Sequence, residues 1–296
     1  MTVKPLPSTG ASTRQQKIVK RIFQLVVTAL AMTFALFPVI WIISASLDPR
    51  NTLSGQSIVP PEVTLNNYVQ LFNNPLQPYG LWMWNSLKVA IITSGLSILI
   101  TAFSAYAFSR FRFTGRDSLL TTVFLMQVFP TALLFIAIFL FLDSLGKVVA
   151  WLGLNTHTGL IFVYLAGAMG INVWLMKGFL DSVPRDMDEA AKVDGATDWQ
   201  IFWFVVLPLI RPIMAVIGLL TFITAYSEYL LARTILQDTT QFTLAVGLTT
   251  AAQQQFSQSW GTYAAGALIG ALPIIVIYLF LQDFIVSGLT EGSVKG

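Results

Sequence analysis

The sequence predicts an all-α membrane protein with six transmembrane helices and both termini in the cytoplasm. Three observations carry this. Only 10% of the 296 residues are charged and 55% are hydrophobic, whereas a soluble domain has about 25% charged residues with which to cover its surface. Lipid must therefore solvate much of the chain. Six stretches approach the roughly 20 apolar residues that cross a bilayer as one helix. Lys and Arg crowd alternate connections, which sets the orientation.

The elements follow in order. Residues 1–21 form a polar tail with Lys4, Arg14, Lys17, Lys20 and Arg21, ahead of a first span over Ile22–Ser46. A charged start resembles a signal peptide, but the apolar run is too long and lacks a small-residue cleavage site. It reads as an uncleaved anchor. An outer loop, Leu47–Asn85, is punctuated by Pro49, Pro60, Pro61, Pro75 and Pro78, which favour turns. Within it Thr64 can cap a short amphipathic helix running to Phe72.

The second span is Ser86–Phe108, followed by Arg110, Arg112 and Arg116; the third is Ser118–Leu142. His157 lies just before the fourth, Gly159–Met176, and reads as a loop residue. The fifth covers Ile213–Leu231, with a proline-broken lead-in from Ile201, and the sixth is Tyr263–Val286. A five-span block over about residues 85–290 thus follows an added first span, the whole membrane domain being 22–296. Connections on the tail side hold 12 Lys and Arg against 3 on the other side (Arg50, Lys147 and Arg233). The tail side is the cytoplasm by the positive-inside rule.

Composition excludes several chemistries. With no cysteine and one histidine, thiolate nucleophiles, disulfides and His-rich metal sites are ruled out. A net charge of +3 is too small to suggest nucleic acid. No phosphate-cradling G-x-x-x-x-G-K-[ST] loop occurs; Gly146-Lys147 lacks the preceding glycine and the following hydroxyl.

The most informative segment is the cytoplasmic loop of residues 182–208. Pro184 suits the first turn of a helix. Asp186, Asp188 and Glu189 then crowd its N-terminal half, where the helix dipole favours anions. Met187, Ala190, Ala191 and Asp194 fall on one face by three- and four-residue spacing. Asp188 and Lys192 can pair across a turn, Gly195 ends the helix, and Thr197 to Gln200 has the form of a capping box. Pro208 and Pro212 break the approach to the fifth span. Two adjacent alanines give a slim face that another protein's groove could approach. On this chemistry alone the helix is either a docking element or an interfacial connector.

Glu189-Ala190-Ala191, then Gly195 after three residues, then Leu207-Pro208, resembles the cytoplasmic signature of ABC importer permeases. Val205 stands where isoleucine is commonest, while Asp194 and Ala196 fit the sugar-importer version. The resemblance covers nearly the whole chain. Asn85-Ser86 opens the second span as in that family, and Ala105-Tyr106-Ala107-Phe108 with Arg110, Arg112, Phe113 and Gly115 looks like its second cytoplasmic turn. Tyr226-Ser227-Glu228 departs from the usual Trp-Asn-Glu. Gly153-Leu154-Asn155-Thr156-His157 and the tail from Gly288 look like the maltose/maltodextrin (MalG) type.

The resemblance implies a type I importer fold in a prokaryotic cell membrane. It implies one half of a translocation pathway, with a MalF-like permease subunit, two copies of a MalK-like ATPase and an extracytoplasmic sugar-binding protein as partners. ATP and magnesium would be used by the ATPase, and no cofactor would be bound by this chain, which is not itself an enzyme. Met187, Glu189, Ala190, Ala191, Asp194, Gly195, Ala196, Leu207 and Pro208 would couple to the ATPase. Gly288, Thr290, Gly292 and Lys295 would reach between the ATPase subunits, or form a free terminus.

Polar residues in spans are costly and often functional. Gln127, Asn172 and Glu228 either line the pathway or bond within the bundle, and Glu228 can equally lie at the outer rim. The polar loop from Arg233 to Trp260, with Gln254, is either a binding-protein contact or a solvated loop. Trp41, Trp82, Trp84, Trp151, Trp174 and Trp260 lie near span ends, where interface anchoring explains most of them. An ion-driven secondary transporter is the competing class, and it would need mid-span charges and inverted repeats that the sequence lacks.

Overall fold

The computed structural model describes residues 13–51, 56–128, 130–254 and 259–293. These residues are helical with connecting turns, and no strand occurs among them. Four helices are long and apolar enough to cross a membrane: α1 (Thr13–Leu47), α3 (Tyr79–Arg110), α6 (His157–Ser182) and α13 (Trp260–Ser293). Each matches an expected span but runs further. Helix α1 begins inside the predicted tail, and His157 opens α6 rather than preceding it. Pro38 in α1 and Pro273 in α13 leave their helices continuous, as neighbouring helices allow in membranes.

The expected third span is not one helix. Residues 116–148 form α4 (Arg116–Val128), a 3₁₀ turn after Pro130 and α5 (Phe135–Val148). Helices of 13 and 14 residues rise about 20 Å each, short of the ~30 Å hydrocarbon core. Pro130 has no amide hydrogen to continue the ladder and restricts the residue before it.

The fifth span differs as well. A short helix, α8 (Asp198–Ile201), leads through a π-helical turn into α9 (Leu207–Leu209), and the chain then bends by 75° at Ile210 into α10 (Arg211–Ser227). The two prolines in this stretch, Pro208 and Pro212, remove the hydrogen bonds that would keep it straight. Helix α10 stops at Ser227 instead of reaching Leu231, and Glu228 turns extended (φ −68°, ψ 128°) before α11 (Leu230–Ile235).

Two more short helices pack against these spans. In α2 (Asn66–Asn73) the first amide hydrogen is taken by Thr64 Oγ1 at 3.1 Å, so Thr64 does serve the helix start. Helix α12 (Leu244–Gln254) packs on α3 and α13. The centre of the bundle is α3, which packs on α6 and α10; α10 also packs on α13. Helix α1 lies outside this block against α13 and α2, with side chains such as Phe34 fully open.

Two apolar clusters hold the block. One, at the N-terminal end of α3, joins Tyr79, Trp82, Val89, Leu142, Leu160, Phe222, Ile235 and Leu244. The other, at the opposite end of α3, joins Ala102, Ala105, Tyr106, Met176, Leu180, Ile201, Phe202 and Val206. This second cluster seats the functional segment.

Candidate functional site

After α6 ends at Ser182, Val183 and Pro184 turn the chain into α7 (Asp186–Val193), whose cap residue is Arg185. Pro184 therefore precedes the helix rather than opening it. Asp188 and Glu189 amides both donate to the Arg185 carbonyl. Three acidic residues in the first turn face the positive end of the helix dipole.

The C-terminus of α7 is closed as its glycine requires. Gly195 has φ +87°. The Ala196 amide donates to the Ala191 carbonyl at 2.9 Å and the Gly195 amide to Lys192 at 3.0 Å, which is the Schellman arrangement. Thr197 and Gln200 then form the full capping box that starts α8. Both ends of this element follow from local sequence.

The faces of α7 differ from the simple expectation. Met187, Glu189, Ala190, Asp194 and Gly195 are exposed. Ala191 and Ala196 instead pack against the cluster of Tyr106, Leu180 and Ile201. The two alanines thus divide: Ala190 looks outward and Ala191 lets the helix sit close to the bundle. Leu207 packs at the same cluster's margin, and Pro208 beside it is half-buried.

The pairing of Asp188 is also corrected. It is buried, and its Oδ2 lies 2.6 Å from Arg110 Nε at the end of α3; Lys192 pairs instead with Asp198 at 3.0 Å. Arg110 Nη2 donates to the Val183 carbonyl at 3.1 Å, and Arg185 Nη2 donates to the Ser109 carbonyl at 2.7 Å. Asp181 accepts from Ser109 Oγ and Lys177 Nζ, each at 2.6 Å. Tyr106 OH donates to the Asp198 carbonyl at 3.3 Å. Sequence reading missed these ties. The available signal was a charged residue ending each of two apolar spans, Arg110 and Asp181.

An aromatic ladder backs the segment. Phe103 stacks on Trp199 (centroids 5.7 Å, 4° between planes) and on Phe202 (4.8 Å). This fixes the bent helix to α3 from its other side.

The remaining candidates are held by separate partners. Asn172 is buried and donates to Ser97 Oγ at 3.2 Å and Thr221 Oγ1 at 3.1 Å, joining α6, α3 and α10. Gln127 Nε2 donates to the Gly167 carbonyl at 3.0 Å across α4 and α6. A Cβ at Gly170 would fall 2.5 Å from the Gln127 side chain, so the amide sits in a glycine notch. Both thus bond within the bundle. Glu228 accepts from Tyr164 OH at 2.8 Å and from the Leu231 and Ala232 amides at 2.7 and 2.8 Å, capping α11. Trp260 opens α13 and meets Tyr263 edge-on at 5.8 Å. Only the backbone is described at Gln254 and at Gly288, Thr290 and Gly292, the latter three lying in α13; Lys295 is outside the described residues.

Near the N-terminal end of α3 the connection from Leu236 to Thr243 is fastened from two directions. Trp82 Nε1 donates to Thr239 O at 2.8 Å, and Asn85 Nδ2 to Thr240 O and Phe242 O at 2.9 and 3.0 Å. Asn155, in the left-handed region at φ 58°, accepts from the Gln237 and Asp238 amides. His157 Nε2 sits 2.9 Å from Gln241 O. Gly153-Leu154-Asn155-Thr156-His157 is thereby a clamp on this loop, with Thr156 also capping α6.

Comparison with known proteins adds three findings. Residues 97–291 match the family model described as "Binding-protein-dependent transport system inner membrane component". The galactooligosaccharides transport system permease protein GanQ of Bacillus subtilis (strain 168) is 38% identical over 97% of this chain and 99% of its own. The maltose/maltodextrin transport system permease protein MalG of Vibrio vulnificus (strain YJ016) is 39% identical over 90% and 92%. A crystal structure of a bacterial ABC transporter involved in alginate import contains a chain of the same fold, with TM-score 0.76 at 24% identity, covering 95% of this chain and 99% of that one.

Proposed function

The chain belongs to the family of binding-protein-dependent transport system inner membrane components, and on that premise we propose that it is a permease subunit of an ATP-driven oligosaccharide importer. The observation that carries the mechanism is α7. It presents Met187, Glu189, Ala190 and Asp194 outward, while its other face is packed and ion-paired to the ends of the spans. A helix held this way can be pushed without bending away from the bundle. The ATPase would grip it there, and nucleotide-driven closure would move the bundle between two states.

The assembly has this chain beside a MalF-like permease subunit, above two MalK-like ATPases, with an extracytoplasmic sugar-binding protein on the outer side. ATP and magnesium are bound by the ATPase; this chain has no phosphate loop with which to hold them. It crosses the membrane six times with both termini inside, α4 and α5 making one broken crossing and α8 to α10 another. The end of α13 continues toward the ATPase pair. The clamped loop from Leu236 to Thr243 and the segment to Trp260 face the binding protein.

The cargo is proposed as maltose or maltodextrin, from the MalG relatives and the MalG-like residues Gly153 to His157. Galactooligosaccharide is the second reading, favoured by GanQ at 38% identity over 97% of the chain.

The test is co-expression with a MalF-like permease subunit, a MalK-like ATPase and a sugar-binding protein from the same organism, followed by uptake into proteoliposomes. The ATPase should co-purify, and uptake should require ATP and the binding protein. Uptake driven by an ion gradient without the ATPase would overturn the reading. Calorimetric titration of the binding protein with maltotriose and with a galactotriose separates the two cargoes.

A further inference from the structure

We propose that Arg110 is a positioning residue for energy coupling: it ties α7 to α3, so that a load on α7 enters the bundle through a helix to which α7 has no nearby chain connection. The inference rests on α7 being the helix the ATPase grips.

By chain, α7 is joined to α6 through Val183–Arg185 and to α8 through Asp194–Thr197. Helix α3 ends 75 residues upstream of α7. It is nevertheless the span with the largest buried share, and it packs on both α6 and α10. A push delivered to α3 is delivered to the centre of the bundle.

The tie has the properties of a rigid joint. The Arg110–Asp188 pair is 2.6 Å long, with side chains only 7% and 12% exposed. Buried pairs are little screened by salt, and breaking one by removing a single partner leaves an uncompensated charge. The guanidinium also binds the Val183 carbonyl, and Arg185 answers by binding the Ser109 carbonyl. Each arginine therefore crosses to the other element. Two crossed contacts resist both sliding and rotation, as a single contact does not. The guanidinium holds Val183 by a hydrogen bond from Nη2 and Asp188 by charge at Nε; a lysine's point charge is less suited to both.

The other side-chain ion pair on α7 cannot replace it. Lys192–Asp198 is half exposed on both sides, and it links α7 to α8, its chain neighbour. Such surface pairs hold weakly. Besides the packing of Ala191 and the Arg185–Ser109 hydrogen bond, the Arg110 contact is thus what fixes α7 against α3, and it is the one of these that carries a buried ion pair.

The chain has no cysteine, so a pair of introduced cysteines is unique within it, and the partner subunits are used in cysteine-free form. Spin labels are placed at Val193→Cys on α7 and Leu99→Cys on α3, both exposed, in the transporter assembled with its ATPase. Their separation is measured without nucleotide and with ATP and EDTA. In the otherwise native chain the two distance distributions should coincide, because α7 and α3 move as one body. With Arg110→Met the ATP state should shift away from the nucleotide-free state, and Arg110→Lys should shift less. If Arg110→Met fails to assemble, Arg110→Met/Asp188→Leu, which leaves no lone buried charge, takes its place.

A separation that changes with ATP in the native background overturns the inference, as does a variant whose two distributions still coincide. If the native chain retains no ATPase at all, the docking reading falls, and the inference with it.

Discussion

Asn51 caps α13 from 210 residues away: its Oδ1 accepts from the Gly261 amide at 2.6 Å. It also accepts from the Thr262 amide at 3.2 Å, and its own carbonyl accepts from the Trp260 amide at 3.2 Å. One residue thus serves three of the unpaired donors at the start of a 34-residue helix. It does so at φ 56°, a region asparagine tolerates better than most residues. Asn51→Ala should lower stability by about 1–2 kcal/mol, the usual value of a helix cap, while Asn51→Asp should stay near the parent. Thermal unfolding of the detergent-solubilised complex checks this; equal midpoints for Ala and Asp would contradict the capping role.

Gly195 needs its backbone angle and nothing else from being glycine. A Cβ there meets no atom within 4 Å, but φ +87° costs an ordinary residue about 1–2 kcal/mol. Gly195→Asn should therefore keep most uptake, and Gly195→Val should lose most of it with ATPase recruitment weakened. If Asn fails as badly as Val, the glycine is needed for close approach by the ATPase rather than for the Schellman turn.

Gly247 is a space requirement. A Cβ there would lie 2.2 Å from the Trp82 ring, inside the anchor for the Leu236–Thr243 loop. Gly247→Ala should cost about 1–3 kcal/mol as an overpacking change. Gly95→Ala, where a Cβ meets nothing within 4 Å, should be neutral or slightly stabilising by helix propensity. Yield and melting temperature of the two variants decide it.

Glu228 caps the start of α11. Both its oxygens are taken by Tyr164 and the α11 amides. Glu228→Gln should lower stability by about 1–3 kcal/mol, the value of hydrogen bonds to a charged group, and leave the order of preference among sugars unchanged. Tyr164→Phe should have a smaller effect of the same kind. Competition uptake with a sugar panel is the measurement; a changed preference would return Glu228 to the pathway.

Legibility in the sequence followed the range of the interaction. Spans α1, α3, α6 and α13 were readable because hydropathy acts on each helix by itself. Both ends of α7 were readable because Gly195 and the Thr197–Gln200 box act within a few residues. The break at Pro130 was less so: a proline inside an apolar run is tolerated in α1 and α13 and interrupts the helix between α4 and α5. A proline weakens the helix wherever it stands, and the surrounding structure settles whether the chain breaks there.

The sequence alone determined the membrane class, the family and the existence of the capped helix α7, since composition, periodicity and caps are local quantities. Only the tertiary structure decided which partners the polar residues take. Asp188 has Lys192 within a helical turn and yet pairs with Arg110, because packing buries both Asp188 and Arg110 and leaves Lys192 in water. A buried charge must find its counter-charge inside the same desolvated volume. That volume is made by α3, α6 and α7 together and is written in no single segment.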